Sequence, residues 1–204
     1  MGALRMVKSY FIQYKFILPE SIKHSTYTYQ KLFRAIYGYT QNVTKSNGKT
    51  YHYFRKGVLS DTPYYRPGKN TVVIHPDVFP KLKQFFATGQ NPSHKWITKG
   101  DWKAVYYMDE KELDESKIVQ SLEDLLDRTY LATSSAPPAK LMDELSTILD
   151  TRSSSETPSD GRKRAALAEA QNILSHEWFQ QHHPKSKTLT EFNDKVKQLK
   201  GLSN

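Results

Sequence analysis

The chain opens with an alternation of apolar and polar side chains that is typical of a β-strand. Over residues 8–18 every second side chain is large and apolar, and Pro19 ends the run. We therefore expect one face of this strand to lie in the core. That face comprises Tyr10, Ile12, Tyr14, Phe16 and Leu18.

Apolar residues next recur at helical spacing. Tyr29, Leu32, Phe33 and Ile36 predict a helix whose apolar side faces the core, with Ser25 or Thr26 as its cap. The opposite side of this helix is basic, small and aromatic. It carries Tyr27, Gln30, Lys31, Arg34 and Gly38.

Residues 40–59 are typical of a β-hairpin, because Asn47-Gly48 is a strong two-residue turn signal. With those two residues at the tip, one face combines two tyrosines with an arginine. We expect that face to be exposed, either as a stacking platform or as cross-strand packing that only stabilises the hairpin. The predicted opposed pairs are Thr44 with Tyr51, Asn42 with Tyr53, and Thr40 with Arg55.

Two prolines and a glycine predict a constrained loop over residues 62–70. This loop would hold Tyr64, Tyr65, Arg66 and Lys69 against a ligand at little cost in entropy. A short buried strand follows over residues 71–74, then a helix that begins at Pro76 and ends near Gly89, and a last strand over 104–108.

The chain then changes character. Residues 109–127 are strongly acidic and carry a helical stripe of leucines, and a second helix is indicated around residues 141–149. The Ser/Thr-rich stretch 151–161 is typical of a flexible linker. A third helix is predicted over 162–182, and the capping-box pattern from Thr188 to Glu191 predicts the start of a fourth.

This order of elements predicts an α+β fold, with a small antiparallel or mixed sheet and two helices in the N-terminal half, followed by an all-α C-terminal region. The predicted organisation divides the chain in four. It comprises a basic, aromatic-rich domain over 7–108, an acidic helical segment over 109–150, the linker over 151–161 and a C-terminal helical hairpin over 162–204.

Charge is divided unevenly between these parts. Residues 1–108 hold 17 of the 30 Lys and Arg residues but only four of the 21 acids, so this half has a net charge of +13 and the remainder −4. The same half holds 12 of the 13 tyrosines. Cations mixed with planar rings suit a polyanion whose bases can stack, and this combination points to nucleic acid.

Several function classes lack their sequence signals. The chain has no cysteine, no apolar run long enough to span a bilayer, no phosphate-binding glycine loop and no dinucleotide fingerprint. His182-His183 match no zinc spacing, and we expect no metal and no cofactor. A metal-dependent nuclease would need folding to assemble Asp61, Asp77 and Asp101, and this alternative stays open.

The pattern favours a non-catalytic nucleic-acid-binding protein, with RNA or single-stranded DNA preferred over duplex DNA. We expect it to be cytoplasmic, with association with a nucleoid or ribosome left open, and not to engage a membrane. The alternatives are a protein–protein adaptor in a nucleic-acid-processing complex, with the C-terminal helices binding a partner, a duplex-DNA-binding transcription factor, or the nuclease. The expected binding residues are Lys31, Arg34, Lys45, Lys49, Tyr51, Tyr53, Arg55, Lys56, Tyr64, Tyr65, Arg66, Lys69, Lys95, Trp96, Lys99 and Lys103.

The acidic segment allows a further hypothesis, because it directly follows the basic half. It could fold over the basic surface and compete with nucleic acid, or it could dock on a partner protein. An ordinary solvated acidic face on a packed helix explains the same composition.

Overall fold

The structure, a computed structural model, describes residues 6–23, 25–46, 48–93, 102–131, 138–151 and 160–201. These residues form an α+β fold with a helical C-terminal region, which confirms the predicted class. The strands are β1 (Met6–Ile17), β2 (Tyr39–Thr44), β3 (Thr50–Arg55), β4 (Tyr64–Gly68), β5 (Thr71–Ile74), β6 (Lys103–Asp114), β7 (Tyr130–Leu131) and β8 (Ala139–Lys140). The helices are α1 (Tyr27–Tyr37), α2 (Phe79–Thr88), α3 (Glu115–Asp127), α4 (Leu141–Asp150), α5 (Asp160–Leu174), α6 (Glu177–His182) and α7 (Lys187–Gly201).

The main sheet is antiparallel, with strand order β4–β5–β1–β6. The alternation predicted for β1 is confirmed, since Ile12, Tyr14 and Phe16 are buried in the N-terminal core. Leu32 and Ile36 of α1 join the same core, as their helical spacing predicts. Both α1 and α2 therefore cover one face of the sheet, because each has a single apolar side to bury.

The hairpin forms a separate sheet of β2 and β3, but its predicted register is wrong by one residue. The Lys45 amide donates to the Lys49 carbonyl across 3.0 Å, so three residues rather than two close the loop. Gly48 has a φ of +75°, a conformation that glycine adopts readily. Because of the longer loop, Tyr39 lies opposite Arg55.

The loop predicted over 62–70 contains β4, an edge strand of the main sheet. It pairs with β5 through Tyr64 and Tyr65, and the register shifts before Gly68. Pro67 is compatible with this position because an edge strand needs no amide donor on its solvent side. Pro67 therefore does not prevent a strand here, but it restricts that strand to the edge of the sheet.

β6 is longer than its apolar run over 104–108 predicts. It pairs with β1 along its whole length and includes residues 109–114 of the acidic segment. Helix α3 begins at Glu115, where the Asp114 carboxylate accepts a hydrogen bond of 2.8 Å from the Ser116 amide. The long β1 offers backbone partners to these charged residues, and this pairing outweighs their weak strand propensity.

The C-terminal helices pack around a second core that includes Leu122, Leu145 and Phe192. The single helix predicted over 162–182 is wrong, because α5 and α6 are separate helices. His176 lies between them, and its Nδ1 accepts a hydrogen bond of 3.3 Å from the Trp178 amide. This side-chain cap starts a new helix instead of continuing the old one.

The last helix also begins differently from its prediction. Ser186 precedes α7, and its Oγ accepts a hydrogen bond of 3.2 Å from the Leu189 amide. The predicted cap at Thr188 is therefore wrong, because Thr188 already lies within the first turn.

Most of the linker predicted over 151–161 lies outside the described residues, as do Lys95, Trp96, Lys99 and Asp101. Among the helices that are described, none combines the length and apolar character that a membrane crossing needs.

Candidate nucleic-acid interface

One face of the hairpin carries a row of aromatic and polar side chains. The observed register places Tyr51 opposite Val43 and Tyr53 opposite Gln41, so these four share a face with Tyr39 and Arg55. Of these six side chains Arg55 is exposed and the other five are half-buried, so the expectation of a fully exposed tyrosine face is wrong. The rings of Tyr51 and Tyr53 stack with their centroids 6.4 Å apart and an angle of 25° between planes.

Cations lie over these rings. Lys45 places its Nζ 4.6 Å from the centroid of Tyr51, and the guanidinium of Arg55 lies 5.9 Å from that of Tyr53. Arg55 is held in place, because its Nε donates a hydrogen bond of 2.9 Å to Oε1 of Gln41. Each cation is attracted by the electron-rich ring face, which holds both groups in a defined arrangement.

Helix α1 extends the row. The guanidinium of Arg34 lies 4.8 Å from the ring of Tyr39 and 5.4 Å from that of Tyr27, which is 59% exposed. We call the resulting row the cation–ring stripe. Its members are Tyr27, Arg34, Tyr39, Arg55, Tyr53, Tyr51 and Lys45.

The cations of the stripe retain their charge for a ligand. Within the described part of the chain, Arg34, Lys45 and Arg55 make no ion pair with a carboxylate. A row of unneutralised positive charges favours an anionic partner.

Five of the expected residues thus come together: Arg34, Lys45, Tyr51, Tyr53 and Arg55. Tyr39 belongs to the same stripe although the sequence reasoning did not select it. A three-residue loop in the hairpin would have placed it beside Arg55, and the positive φ of Gly48 is compatible with such a loop.

The rings of β4 are used within the fold. Tyr64 packs 5.2 Å from Tyr37 and lies under the guanidinium of Arg128 at 4.3 Å. Tyr65 has the Lys117 ammonium 5.3 Å from its ring centroid. Both rings are half-buried, as are those of Tyr51 and Tyr53, but the cations over Tyr64 and Tyr65 come from the helical half of the chain.

The basic residues of the same segment also cover rings of the core. Arg66 lies 3.9 Å over Tyr37, and Lys69 lies 5.4 Å over Tyr29, while both cations stay exposed. Burial raises the pKa of Tyr37 to about 12, so its hydroxyl stays protonated and shares a hydrogen bond of 2.8 Å with Tyr14.

The other expected lysines are dispersed. Lys56 pairs with Asp61 at 2.9 Å and Glu169 at 3.1 Å, so its charge joins the two halves of the chain. Lys103 is exposed at the start of β6, on a different sheet from the stripe. Lys31 is half-buried on α1, and Lys49 is exposed beside the hairpin loop.

The acidic side chains of α3 that make polar contacts face the helical half. Glu115 contacts Nδ1 of His182 at 2.9 Å, and Glu123 accepts a hydrogen bond of 2.5 Å from Ser186. These contacts hold α3 against its own core and give no support to the hypothesis that it covers the basic surface.

A second polar cluster lies at the junction of the two halves, around a cavity of about 390 Å³. His75 places its Nδ1 3.5 Å from Asp77 and its Nε2 3.2 Å from Glu177. Asp61, which also lines the cavity, is paired with Lys56.

One imidazole nitrogen and two carboxylates could hold a divalent cation, since their ligand atoms lie within 4.8 Å of one another. The imidazole is already engaged, however. Its Nδ1 accepts a hydrogen bond of 3.3 Å from the Asp77 amide, and its Nε2 lies 3.2 Å from a carboxylate oxygen of Glu177. We therefore interpret the cluster as a contact that joins the two halves.

Comparisons with protein-family models, curated proteins and solved structures found no match. The interpretation of the stripe therefore rests on its geometry and chemistry.

Proposed function

We propose that this protein binds nucleic acid without catalysing a reaction, with RNA or single-stranded DNA favoured over duplex DNA, and that the cation–ring stripe is the binding surface. The observation that carries the proposal is the alternation of rings and unneutralised cations along one face of the hairpin and α1. Cytoplasmic location stays a prediction.

The two chemistries of the stripe match the two parts of a nucleotide. The rings of Tyr51 and Tyr53 can stack on exposed bases, and this contact tolerates any sequence because every base has a π-face. Lys45, Arg55 and Arg34 can neutralise the phosphates between those bases. Tyr51 and Tyr53 stand two residues apart on one strand, about 6.6 Å at a rise of about 3.3 Å per residue, so neighbouring bases can each meet one ring.

Unpaired strands fit this surface better than a duplex does. Base edges in a duplex are read by arginine and amide side chains that enter a groove, whereas the faces of the bases stay stacked. In the stripe the guanidinium groups lie over tyrosine rings and the amide of Gln41 is engaged by Arg55. A base would stack on the part of each ring that these cations leave uncovered, whereas the polar groups that read base edges are engaged within the stripe.

The proposal is tested by fluorescence anisotropy with labelled single-stranded and duplex RNA and DNA. We expect the double variant Y51A/Y53A to weaken single-strand binding by about 1–3 kcal/mol per lost stack. The variant Y51F/Y53F retains both rings and should bind like the wild type. As a matched control, T40A/N42A alters the opposite face of the same hairpin and should also leave affinity unchanged.

Salt dependence separates the two contributions. The variant K45Q/R55Q should lower the slope of log affinity against log salt by about 0.7 for each lost phosphate contact, whereas Y51F/Y53F should leave the slope unchanged. Unaltered binding by both Y51A/Y53A and K45Q/R55Q would contradict the proposal.

The principal alternative is an adaptor that presents the same stripe to an acidic protein. It predicts poor binding to every naked oligonucleotide, in both salt conditions. Preference for duplex over single strands would favour the transcription-factor hypothesis instead, and magnesium-dependent cleavage of the oligonucleotides would favour the nuclease.

A further inference from the structure

The outer edge of β6 is open among the residues that the structure describes. The sheet order places β6 at the edge, where it pairs with β1 on one side over residues 103–114. No described strand pairs with its other side. A long edge strand exposes a row of backbone donors and acceptors, which makes it a template for a further strand.

Large apolar side chains are exposed at the same place. Val105 is 49% exposed and Tyr107 64%, and both share the face of the sheet that points away from α1 and α2. Tyr106 and the neighbouring Ile17 are 38% and 47% exposed. Residues 110–112 carry charges that disfavour pairing of another strand with that part of the edge, whereas residues 104–108 carry none.

This segment is complementary to itself. A two-fold axis perpendicular to the sheet keeps each residue on the same face of the sheet in both copies. Because opposed residues in an antiparallel pair share a face, the residue numbers of each opposed pair must be both odd or both even, and their sum is even. A register centred on Tyr106 satisfies this condition. It opposes Val105 with Tyr107, Ala104 with Met108, and Lys103 with Asp109.

The neighbouring registers are worse. Centring on Tyr107 opposes Lys103 with Lys111, and centring on Asp109 brings two aspartates together. Centring on Met108 opposes Tyr107 with Asp109. The register centred on Tyr106 places apolar pairs in the middle and an opposite-charge pair at each end.

We propose that β6 is a dimerisation edge, at which a second copy of this chain pairs antiparallel through residues 103–109 to form one continuous eight-stranded sheet. The dimer covers Val105 and Tyr107 and adds two symmetric Lys103–Asp109 pairs. A second copy is the occupant because the two ends of the segment carry opposite charges, so each end faces its complement; Lys103 of the second copy would share Asp109 with Lys111, which lies 3.2 Å from it in the same chain. The stripe lies on a separate sheet, so this proposal does not depend on the proposed function.

Charge reversal tests the register directly. Sedimentation velocity over a concentration series up to about 100 µM, in high salt and after nuclease treatment, should show the wild type as a dimer. The variants K103E and D109K each create like-charge pairs at both ends, and we expect each to weaken dimerisation at least tenfold. The double variant K103E/D109K exchanges the charges and should restore much of the lost affinity.

Two further variants keep the test independent of folding and of nucleic acid. E112K lies on the same strand outside the register and should dimerise like the wild type, as should Y51A/Y53A. Circular dichroism checks that each variant is folded. A monomeric wild type over the whole series, or a double variant no better than the single ones, overturns the proposal.

Discussion

His176 illustrates how one residue can link the fold to pH. Its side chain lies near His75, with ring centroids 5.5 Å apart, and its Nδ1 caps α6. Burial, together with the neighbouring imidazole of His75, lowers the pKa of His176 to about 4 from its ordinary 6.5. The folded protein therefore holds this side chain neutral where the unfolded chain would protonate it.

We predict that the free energy of unfolding falls as the pH drops from 6.5 toward 4, because over this range the unfolded state binds a proton that the folded state does not. Full stability from this group is present above pH 6.5. The loss amounts to at most about 3.5 kcal/mol at about 1.4 kcal/mol per pKa unit. Urea unfolding at a series of pH values measures it.

The variant H176N separates titration from capping, since asparagine also caps a helix N-terminus. We expect H176N to lose less stability than the wild type between pH 6.5 and 4. Parallel stability profiles of the two proteins would show that His176 is not the group responsible.

Gly57 is required for space. A Cβ at this position would lie 2.3 Å from the Gly38 amide nitrogen and 2.6 Å from the Ile36 carbonyl oxygen, and backbone atoms cannot move aside as a side-chain tip can. We predict that G57A loses about 3 kcal/mol or more in urea unfolding. G161A, where an added Cβ meets nothing within 4 Å, should be neutral or stabilising. Equal stability of the two variants would contradict this account.

The candidate site was partly predictable at the level of residues. Tyr51, Tyr53 and Arg55 stand two apart on one strand, so they share a face in any register, and the one-residue error in the hairpin left them together. The β2 residues opposite them differ from the predicted ones, because the length of the hairpin loop decides which residues oppose each other. Tyr64 could not be assigned from sequence, since its burial depends on Arg128, which is remote along the chain.

At the scale of elements, Ser186 caps α7 and also donates a hydrogen bond of 2.5 Å to Glu123 of α3. We predict that S186A loses about 1–2 kcal/mol in urea unfolding, because the Leu189 amide loses its acceptor in a buried position. T188A, the position that the capping-box pattern favours, should change stability by less than about 0.5 kcal/mol. A larger loss of stability in T188A than in S186A would show that Thr188 caps the helix, as the sequence pattern predicts.

Helices and strands with a clear apolar periodicity were predictable from the sequence. Those whose bounds depend on hydrogen bonds to other parts of the chain were not. β1 and α1 each bury a side that its own spacing defines. The charged end of β6 is a strand because β1 lies beside it, and α5 ends where the His176 imidazole starts another helix. Propensity and charge are local, whereas these outcomes depend on hydrogen bonds from elsewhere in the chain.

At the scale of the whole molecule, the excess of tyrosine in the basic half has two causes. Tyr14, Tyr29 and Tyr37 are buried and build the N-terminal core, where their rings pack on phenylalanine and on one another. Only part of the tyrosine count therefore contributes to the stripe. Composition identified the half of the chain that carries the candidate surface, but it overestimated the number of rings available to a ligand.

The two cores meet through apolar contacts of Val7 and Leu113 with the helical core and through a few polar contacts, among them that of Arg128. It follows α3, and its Nη2 donates a hydrogen bond of 2.6 Å to the Thr62 carbonyl while its guanidinium covers Tyr64. Burial lowers the pKa of Arg128 without neutralising it. The arginine thus ties the helical core to the edge strand of the main sheet.

We predict that R128A uncouples the unfolding of the two cores. The Thr62 carbonyl loses its donor and Tyr64 its cation, at a cost of about 2–4 kcal/mol that falls on the junction alone.

Trp102 reports the N-terminal core and Trp178 the helical core, provided that Trp96 is replaced by phenylalanine. In urea, W96F/W178F and W96F/W102F should show the same fluorescence midpoint with Arg128 present and different midpoints with R128A. A lysine at position 128 cannot both reach the Thr62 carbonyl and cover the Tyr64 ring as a planar guanidinium does. In R128K the difference between the two midpoints should therefore be smaller than in R128A and larger than with Arg128 present. Coincident midpoints in R128A would contradict the prediction, because the contacts of Lys56, His75, Val7 and Leu113 would then couple the two cores without Arg128.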